Sequence, residues 1–506
     1  MPGMNHRPVR GLRHSSFIAR RSALLLGAVL AVGCASAPAQ AERPGAQATS
    51  AVASDPRTMT FEPVRFTPPE PERVVLENGM VVYLIEDHEL PLVTISAMMR
   101  TGSWLDPADK VGLAGLTGAV MRTGGTQRMS ATEVDEALER IAAAVSVGIG
   151  SESGSASLDV LTVDLDRGLQ IFADIMMTPA FDATRLQLAK LQAIESIRRR
   201  QDQPQSIASR EFGKLTYGPE HPFARESTVA SISNISRDDL VAFHAKTIHP
   251  NGIILGVTGD FSRDDMLARL RDRFGNWTKG APPEITLPSP PDDATAGSKR
   301  LVRFIGKGTS QTHLRVGHLS LKENDPDYPA LTVLNDILGG SSFRSRLFQD
   351  IRTKRGLAYS VGSGLRAGTH ERGVWLMRAE TKVESTQEAI SRLIANMERL
   401  REEPVTDEEL AEAKESFVNS FVFSFASPVA IVNRLMGLEY DGLPKDFIQR
   451  LRDEVVKVTK QDLLAVARKH LHPERLRILA VGPPQALLPL LSGFGDVKEI
   501  PLAQEG

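Results

Sequence analysis

Two stretches of this chain match each other without a gap: Ser236-Arg-Asp-Asp-Leu-Val-Ala-Phe-His-Ala-Lys-Thr-Ile-His-Pro250 and Thr459-Lys-Gln-Asp-Leu-Leu-Ala-Val-Ala-Arg-Lys-His-Leu-His-Pro473. Each begins with the Ser/Thr-x-x-Asp pattern that caps a helix. Each ends in His-Pro, and the residue before a proline disfavours helical backbone. Both stretches then enter an apolar strand that ends in glycine, at Gly259 and Gly482. The repeat predicts two equivalent units.

A second matched pair supports the duplication. Pro179-Ala-Phe-Asp182 and Pro404-Val-Thr-Asp407 each precede a long charged helix. Met80 to Asp87 and Leu92 to Arg100 are predicted to be two consecutive strands joined by a polar turn.

Helical patterns follow the strands in both units. Ser130-Ala-Thr-Glu133 is a capping box, and it predicts a helix with Val134, Leu138, Ile141 and Val145 on one face. The second half has the same apolar stripe at Ile390, Leu393, Ile394, Met397 and Leu400. The predicted fold class is α+β, with two homologous halves arranged like a clamshell. Each half is a largely antiparallel sheet with helices packed on one face.

The N-terminus has the features of an export signal. Arg20-Arg21 precede an apolar run from Ala23 to Gly33 that is too short to span a membrane. Two processing sites are consistent with it. Ala31-Val-Gly-Cys34 resembles a lipobox, and Ala39-Gln-Ala41 suits ordinary signal peptidase. We therefore predict a signal peptide over 1–41 and a bacterial periplasmic protein, with a lipid anchor to the outer membrane through Cys34 as one alternative.

The rest of the chain divides at a proline-rich stretch. Residues 42–70 are rich in Ala, Pro, Ser and Thr and are predicted to be a flexible leader. Five prolines between 281 and 299 predict a linker. The predicted domains are therefore 71–280 and 300–506, as expected for a 506-residue chain that is too long for one core.

Charge and cysteine content exclude several classes of function. Removing the five arginines of the signal segment from a net charge of −2 leaves −7, so the mature protein is acidic and lacks a nucleic-acid footprint. Cys34 is the single cysteine, so the mature fold has no disulfide and no thiol nucleophile. The chain has no Gly-x-Ser-x-Gly, Gly-x-x-x-x-Gly-Lys or His-Glu-x-x-His motif. Its histidines are scattered, and helix-end and turn roles are predicted for them.

Six stretches resemble the insulinase/pitrilysin (inverzincin) family of zinc metallopeptidases. They are Leu76 to Asp87, Gly102 to Pro107, Gly112-Leu-Ala114, Gly125-Thr126, Tyr217 to Pro222 and Arg352 to Tyr359. The resemblance covers essentially the whole mature chain. It implies the two-half fold and a peptide substrate.

The resemblance also shows what the first half lacks. Relatives place His-x-x-Glu-His directly after Gly-x-Ala, where the histidines bind zinc and the glutamate activates water. The matching positions here are Gly115, Gly118 and Ala119. The family's third ligand matches Glu195. One carboxylate cannot hold a catalytic zinc that needs about three protein ligands, so we predict no metal in this chain.

The second half keeps an arginine and a tyrosine that relatives use to hold substrate. Arg352 and Tyr359 match this pair, whose guanidinium and phenol donate hydrogen bonds to a substrate carbonyl or oxyanion. The alternative is a helix-end cation and a core aromatic. Gly339-Gly340 is predicted to form a tight turn that presents the block.

These features predict a non-catalytic, substrate-binding subunit of a heteromeric periplasmic zinc metallopeptidase. A homologous partner subunit would carry the zinc, and peptide would bind by adding a strand to a sheet edge. No nucleic acid is expected, and membrane contact only through the N-terminal lipid. One alternative is a non-proteolytic scaffold or peptide-binding protein of the same fold. Another is an enzyme that is active alone through a rearranged metal site.

Overall fold

Two six-stranded sheets, one in each half, form the frame of the computed structural model. The structure describes residues 70–291, 299–341 and 343–502. The predicted signal peptide, Cys34 and the leader up to residue 69 lie outside the described residues. The residues described all belong to one compact unit, Phe66–Gly506.

The first sheet has the order β1-β2-β6-β3-β5-β4, and the second has the order β12-β7-β11-β8-β10-β9. Neighbouring strands are antiparallel except for the pairs β2–β6, β7–β11 and β7–β12. The twelve strands are β1 Glu72–Val75, β2 Val81–Glu86, β3 Leu92–Met99, β4 Ala144–Ile149, β5 Gly154–Leu161, β6 Ile253–Gly259, β7 Leu301–Gly306, β8 Gln311–Leu319, β9 Ala358–Arg366, β10 Val374–Lys382, β11 Arg477–Gly482 and β12 Asp496–Glu499. The prediction of an α+β fold with two largely antiparallel sheets is confirmed.

Helices cover both sheets. They are α1 Leu113–Thr123, α2 Ala131–Arg140, α3 Leu165–Met177, α4 Ala183–Arg199, α5 Pro204–Tyr217, α6 Val229–Asn234, α7 Arg237–Thr247, α8 Arg263–Phe274, α9 Tyr328–Asn335, α10 Thr386–Glu402, α11 Asp407–Phe421, α12 Pro428–Tyr440, α13 Phe447–Lys457, α14 Lys460–His470 and α15 Pro484–Leu491. Two π-helices, Asp336–Gly340 and Phe348–Lys354, lie between α9 and β9. Among the described residues no single helix is long and apolar enough to cross a membrane. In the described part of the chain, one bent pair of helices, Asp407–Phe425 and Pro428–Tyr440, meets the length and composition criterion when the two are taken together.

The repeated stretches form equivalent elements, as predicted. Ser236 and Thr459 cap α7 and α14 through complete capping boxes, because each side chain accepts a hydrogen bond from the backbone N–H three residues later. Each helix leads into the strand that lies third from one edge of its sheet, β6 or β11. The duplication is therefore visible in the fold.

One boundary differs from the prediction. Ser130 and Glu133 cap α2 as expected, but the helix ends at Arg140. Ala142 adopts a left-handed backbone with φ of 49°, which stops the helix. Val145 therefore lies in β4 and not on the helical face, although its side chain is still buried.

Each half also contributes one helix to the opposite half. Ile207 and Phe212 of α5 pack against Leu479 and Val481, on the face of the second sheet that its own helices leave open. Helix α12 packs in the same way on the first sheet, where Val432 and Met436 contact Tyr83 and Ile254. The sequence predicted helices on one face of each sheet, and it did not predict that α5 and α12 cover the other face. They join the halves through apolar contacts in both directions.

A polar contact reinforces the exchange at α12. The Glu439 carboxylate accepts two hydrogen bonds from the Arg73 guanidinium, at 2.6 and 2.8 Å, and one from the Tyr83 hydroxyl at 2.5 Å. The described part of the predicted linker, residues 281–291, contains no helix or strand.

Candidate functional site

Helix α1 carries the positions of the predicted degenerate metal site, Gly115, Gly118 and Ala119. Its start is fixed by Asp106, whose carboxylate accepts hydrogen bonds from the backbone N–H groups of Gly112 and Ala114, both at 2.8 Å. Gly112 itself has a φ of 108°, a conformation that favours glycine. Burial raises the pKa of Asp106 to about 6. The first turn of α1 is therefore held rigidly.

The three positions on α1 face different surroundings. Gly115 and Ala119 are exposed on one side of the helix, while Gly118 is buried. A Cβ at Gly118 would lie 2.8 Å from the backbone nitrogen of Ile149 in β4, whereas a Cβ at Gly115 would meet nothing within 4 Å. Helix α1 therefore approaches β4 so closely that a glutamate at position 118 would force the two elements apart.

Glu195 does not supply a free ligand. It is exposed on α4, and its carboxylate binds the Arg199 guanidinium one helical turn later at 2.6 Å. The described residues contain one group of three side chains that could reach a common metal ion, and it lies in the second half: Asp325, Asp327 and His470. There Asp327 already pairs with His470 at 2.7 Å and with Lys469 at 2.5 Å.

Arg352 lies in the π-helix Phe348–Lys354, a rare type of helix that is frequent at functional sites. Its guanidinium carbon lies 4.6 Å from the Phe348 ring centre and 4.8 Å from the Tyr359 ring centre. No described carboxylate lies within ion-pair distance of Arg352. The acidic residue nearest to it along the chain, Asp350, binds Arg355 and Arg392 instead. Stacking occupies the faces of the guanidinium and leaves N–H groups at its edge available to a ligand.

Tyr359 owes its orientation to a β-bulge. On β10, Glu380 pairs with Ser360 and the next residue, Thr381, pairs with Ala358, so Tyr359 is the extra residue between them. A bulge can redirect one side chain out of the regular pattern. The Tyr359 side chain is accordingly 77% exposed, although Ala358 beside it is buried.

Arg352 and Tyr359 line a depression of about 300 Å³. Its other lining residues are Gln311, Gly356, Leu357, Ala358, Glu380 and Lys382. Gln311, Glu380 and Lys382 were not predicted as site residues, because only the pairing of β8, β10 and β9 brings them to this surface. Glu380 also accepts a hydrogen bond from Gln205 of α5, so the first half supports one wall of the depression.

The prediction of a tight turn at Gly339-Gly340 was wrong. Both glycines belong to the π-helix Asp336–Gly340. A Cβ at Gly339 would lie 2.4 Å from the backbone nitrogen of Ser363 in β9. The glycine is therefore needed for close packing of this helix against the strand.

Three of the scattered histidines make polar contacts within the fold. His470, at the end of α14, binds Asp327, and His472 binds Glu474 at 3.2 Å. His244 is buried and contacts the carbonyl of Met176, and burial lowers its pKa.

Comparisons with known proteins agree with this architecture. The model for insulinase (peptidase family M16) matches residues 81–221, and the model for the peptidase M16 inactive domain matches residues 234–417. The two ranges together cover more than half of the chain. The chain belongs to peptidase family M16.

Relatives within M16 differ in their named activity. An uncharacterized zinc protease YmxG of Bacillus subtilis is 27% identical over 72% of this chain and 86% of its own length. A non-peptidase homolog YmxG of Helicobacter pylori is 25% identical over 76% of this chain and 88% of its own length. The crystal structure of a peptidase M16 inactive domain from Pseudomonas fluorescens is 28% identical, with a TM-score of 0.72, over 82% of this chain and 98% of that one. The chain is therefore an M16 peptidase or a peptidase-like protein.

Proposed function

We propose that this M16 chain is a non-catalytic, substrate-binding subunit of a heteromeric zinc peptidase that acts on peptides. One observation carries the proposal: Arg352, without an ion-pair partner among the described residues, stacks on exposed Tyr359 in an open depression. Burial and packing do not require either side chain to be there, whereas a peptide carbonyl would use the donors of both.

The state of α1 supports a non-catalytic role. Gly115, Gly118 and Ala119 offer no imidazole and no carboxylate, and the close approach of Gly118 to Ile149 leaves no room for a larger side chain at position 118. Glu195 is occupied by Arg199. A homologous partner subunit would therefore supply zinc and the general base.

The position of β9 supports peptide binding at a strand edge. β9 is the last strand of the second sheet, and among the described strands it pairs only with β10. Its other edge offers unpaired N–H and C=O groups close to Tyr359. An extended peptide that pairs with this edge would bring its carbonyls toward Arg352 with little demand on its sequence.

We propose a periplasmic location for the mature protein, on the basis of Arg20-Arg21 and the apolar run that follows. Lipidation of Cys34 and cleavage after Ala41 remain the two alternatives for its N-terminus.

Reconstitution tests the proposal. The purified full chain should cleave no peptide alone. Mixing it with the zinc-bearing M16 partner that copurifies from the native envelope should give activity that exceeds the partner's own. Arg352→Ala should reduce this gain, while Lys354→Ala, which removes an exposed cation from the same π-helix, should leave it unchanged. Equal reduction by both variants would contradict a specific role for Arg352.

The zinc content of the purified chain tests the alternative that the chain hydrolyses peptides without a partner. The purified chain should contain far less than one zinc per molecule after dialysis against a zinc buffer, as measured by inductively coupled plasma mass spectrometry. Stoichiometric zinc together with peptide hydrolysis by the isolated chain would overturn the non-catalytic assignment.

The second candidate is a non-proteolytic scaffold or peptide-binding protein. The non-peptidase homolog from H. pylori favours it, since that relative aligns over most of both chains. This candidate predicts that no copurifying zinc peptidase exists and that the chain binds peptides without contributing to their cleavage.

A further inference from the structure

A second cavity, of about 470 Å³, lies in the second half and is separate from the depression at Arg352. Helices α12 and α13, the start of α9 and the segment before α12 surround it. Much of its wall is apolar: Phe423, Leu438, Leu443, Phe447, Ile448 and Leu451. Phe423 is 76% exposed at this wall. The volume is that of a small-molecule site, and such sites combine an apolar wall with a few polar groups.

The polar groups of this cavity carry an excess of negative charge. Glu323 and Asp441 line it together with a single cation, Arg434. Among the described residues, neither carboxylate has an ion-pair partner within 4.0 Å. Burial raises the pKa of both carboxyls, and the neighbouring Asp441 charge raises that of Glu323 further, while Arg434 and Arg100 act in the opposite direction on Glu323 and Asp441 respectively. Asp441 has a side-chain hydrogen bond with Thr369 but no ion pair among the described residues, and Glu323 likewise has no ion pair. The two carboxylates therefore present negative charge without a close cation to whatever enters the cavity.

A glycine inside α12 keeps this cavity open. Gly437 lies in the body of the helix, where glycine is less favourable than alanine. A Cβ at Gly437 would meet nothing within 4 Å, so no tight packing explains the glycine. Gly437 instead lines the cavity, and any larger side chain would project into the empty volume.

We propose that this cavity binds a ligand that carries one cationic group, an amine or a guanidinium, on an apolar body. The cation would lie between Glu323 and Asp441, and the apolar body would pack on Phe447 and Leu451. The site does not depend on the proposed substrate-binding role, because none of its lining residues lines the depression at Arg352.

Isothermal titration calorimetry on the full chain tests the proposal with three probes. Phenylalanine amide carries the cation and the apolar body, and N-acetyl-phenylalanine amide has the same body without the cation. We expect phenylalanine amide to bind at a single site, and the neutral probe to bind at least roughly tenfold more weakly, the effect of one charge-assisted hydrogen bond. Equal binding of both probes, or no binding of phenylalanine amide, would overturn the proposal. A third probe, the amide of Phe-Ala-Ala, distinguishes a peptide amino terminus from a small free amine, since only the former would retain affinity when the chain is extended.

Matched glycine variants locate the site. Gly437→Leu should abolish binding of phenylalanine amide, because the new side chain fills the cavity without a clash. Gly213→Leu is the control: Gly213 is also a helix glycine with nothing within 4 Å of its Cβ, but it lies in α5, outside this cavity. Glu323→Gln should weaken binding roughly tenfold. Unchanged affinity in Gly437→Leu, with the variant folded by circular dichroism, would place the ligand elsewhere and overturn the assignment.

Discussion

Helix α1 in the first half and the segment from Phe348 to Tyr359 in the second half differ in how far packing explains their residues. At α1, Gly118 is explained entirely by packing, because the helix touches the backbone of β4 there. In the second-half segment, Tyr359 is mostly exposed and Arg352 has no ion pair with a described carboxylate. Residues that stability does not require point to binding. The comparison teaches that packing accounts for Gly118 in the first half, whereas in the second half packing accounts for neither the exposure of Tyr359 nor the missing ion pair of Arg352.

The largest expected effect concerns Arg352. In the reconstituted peptidase, Arg352→Ala should lower kcat/KM about 100-fold, because loss of one positioned donor to a developing oxyanion costs on the order of 10² to 10³. Arg352→Lys should recover only part of this loss, since an ammonium cannot replace the planar guanidinium fork. Steady-state cleavage of a fluorogenic peptide gives both values.

Tyr359→Phe separates the phenol from the ring in the same assay. It should lower kcat/KM roughly tenfold, since it removes one hydrogen-bond donor but keeps the stacking on Arg352. All three variants should keep the wild-type free energy of unfolding to within about 0.5 kcal/mol, as surface substitutions usually do. Large destabilisation would mean that both side chains serve the fold, and the contrast with α1 would then disappear.

The next largest effect concerns the contact between α1 and β4. Gly118→Ala should lower the free energy of unfolding by about 2 kcal/mol, because its Cβ would lie 2.8 Å from the Ile149 nitrogen and overpacking typically costs 1–3 kcal/mol. Urea denaturation followed by circular dichroism measures it. A neutral or stabilising substitution would show that α1 can move from β4 easily, and the glycine would then have no structural explanation.

Much of the fold follows from local sequence patterns. The capping boxes at Ser130, Ser236 and Thr459 begin helices as predicted, because the side chain and the backbone N–H groups that it satisfies lie within one turn. The strand β3 follows from its alternating pattern. Val145 was predicted on the apolar stripe of α2 but lies in β4. An apolar residue at helical spacing is equally consistent with burial in a strand that follows the helix.

The features that the sequence could not predict depend on distant contacts. Nothing in the patterns of α5 and α12 indicates which sheet each helix covers, and both pack on the opposite half. The bulge at Tyr359 depends on its pairing with Glu380 and Thr381 of β10. Arg352 and Tyr359 could be singled out from the sequence, but the depression that they share with Gln311 and Lys382 could not.

A smaller effect tests the polar contact by which α12 of the second half is held on the sheet of the first half. Glu439→Gln should lower the free energy of unfolding by about 1.5 kcal/mol at pH 7, since it weakens the hydrogen bonds from half-exposed Arg73 and from Tyr83 that join α12 to the first sheet. The Arg73 guanidinium and then the Tyr83 hydroxyl hold the pKa of Glu439 below its usual value. A carboxyl with a lowered folded-state pKa stabilises above its unfolded pKa, and this contribution is lost as the pH falls through the folded-state value.

Urea titrations of the wild type and Glu439→Gln between pH 7 and pH 3 provide the measurement. The difference between the two proteins should be constant near neutral pH and shrink in the acid range. A difference that grows as the pH falls would contradict the assigned role of the carboxylate. Glu412→Gln, at a more exposed ion pair with Arg344, is the control and should change stability far less.

The smallest effect concerns Gly115, one turn from Gly118 on the same helix. Gly115→Ala should raise the free energy of unfolding by roughly 0.8 kcal/mol, because alanine is the better helix former and its Cβ would meet nothing within 4 Å. The same urea assay applies, so the two glycine variants form a matched pair of opposite sign. If Gly115→Ala were destabilising like Gly118→Ala, helix propensity and open space would not determine the stability effect of a substitution at Gly115. An unmapped ligand or partner surface would then have to be sought on this exposed side of α1.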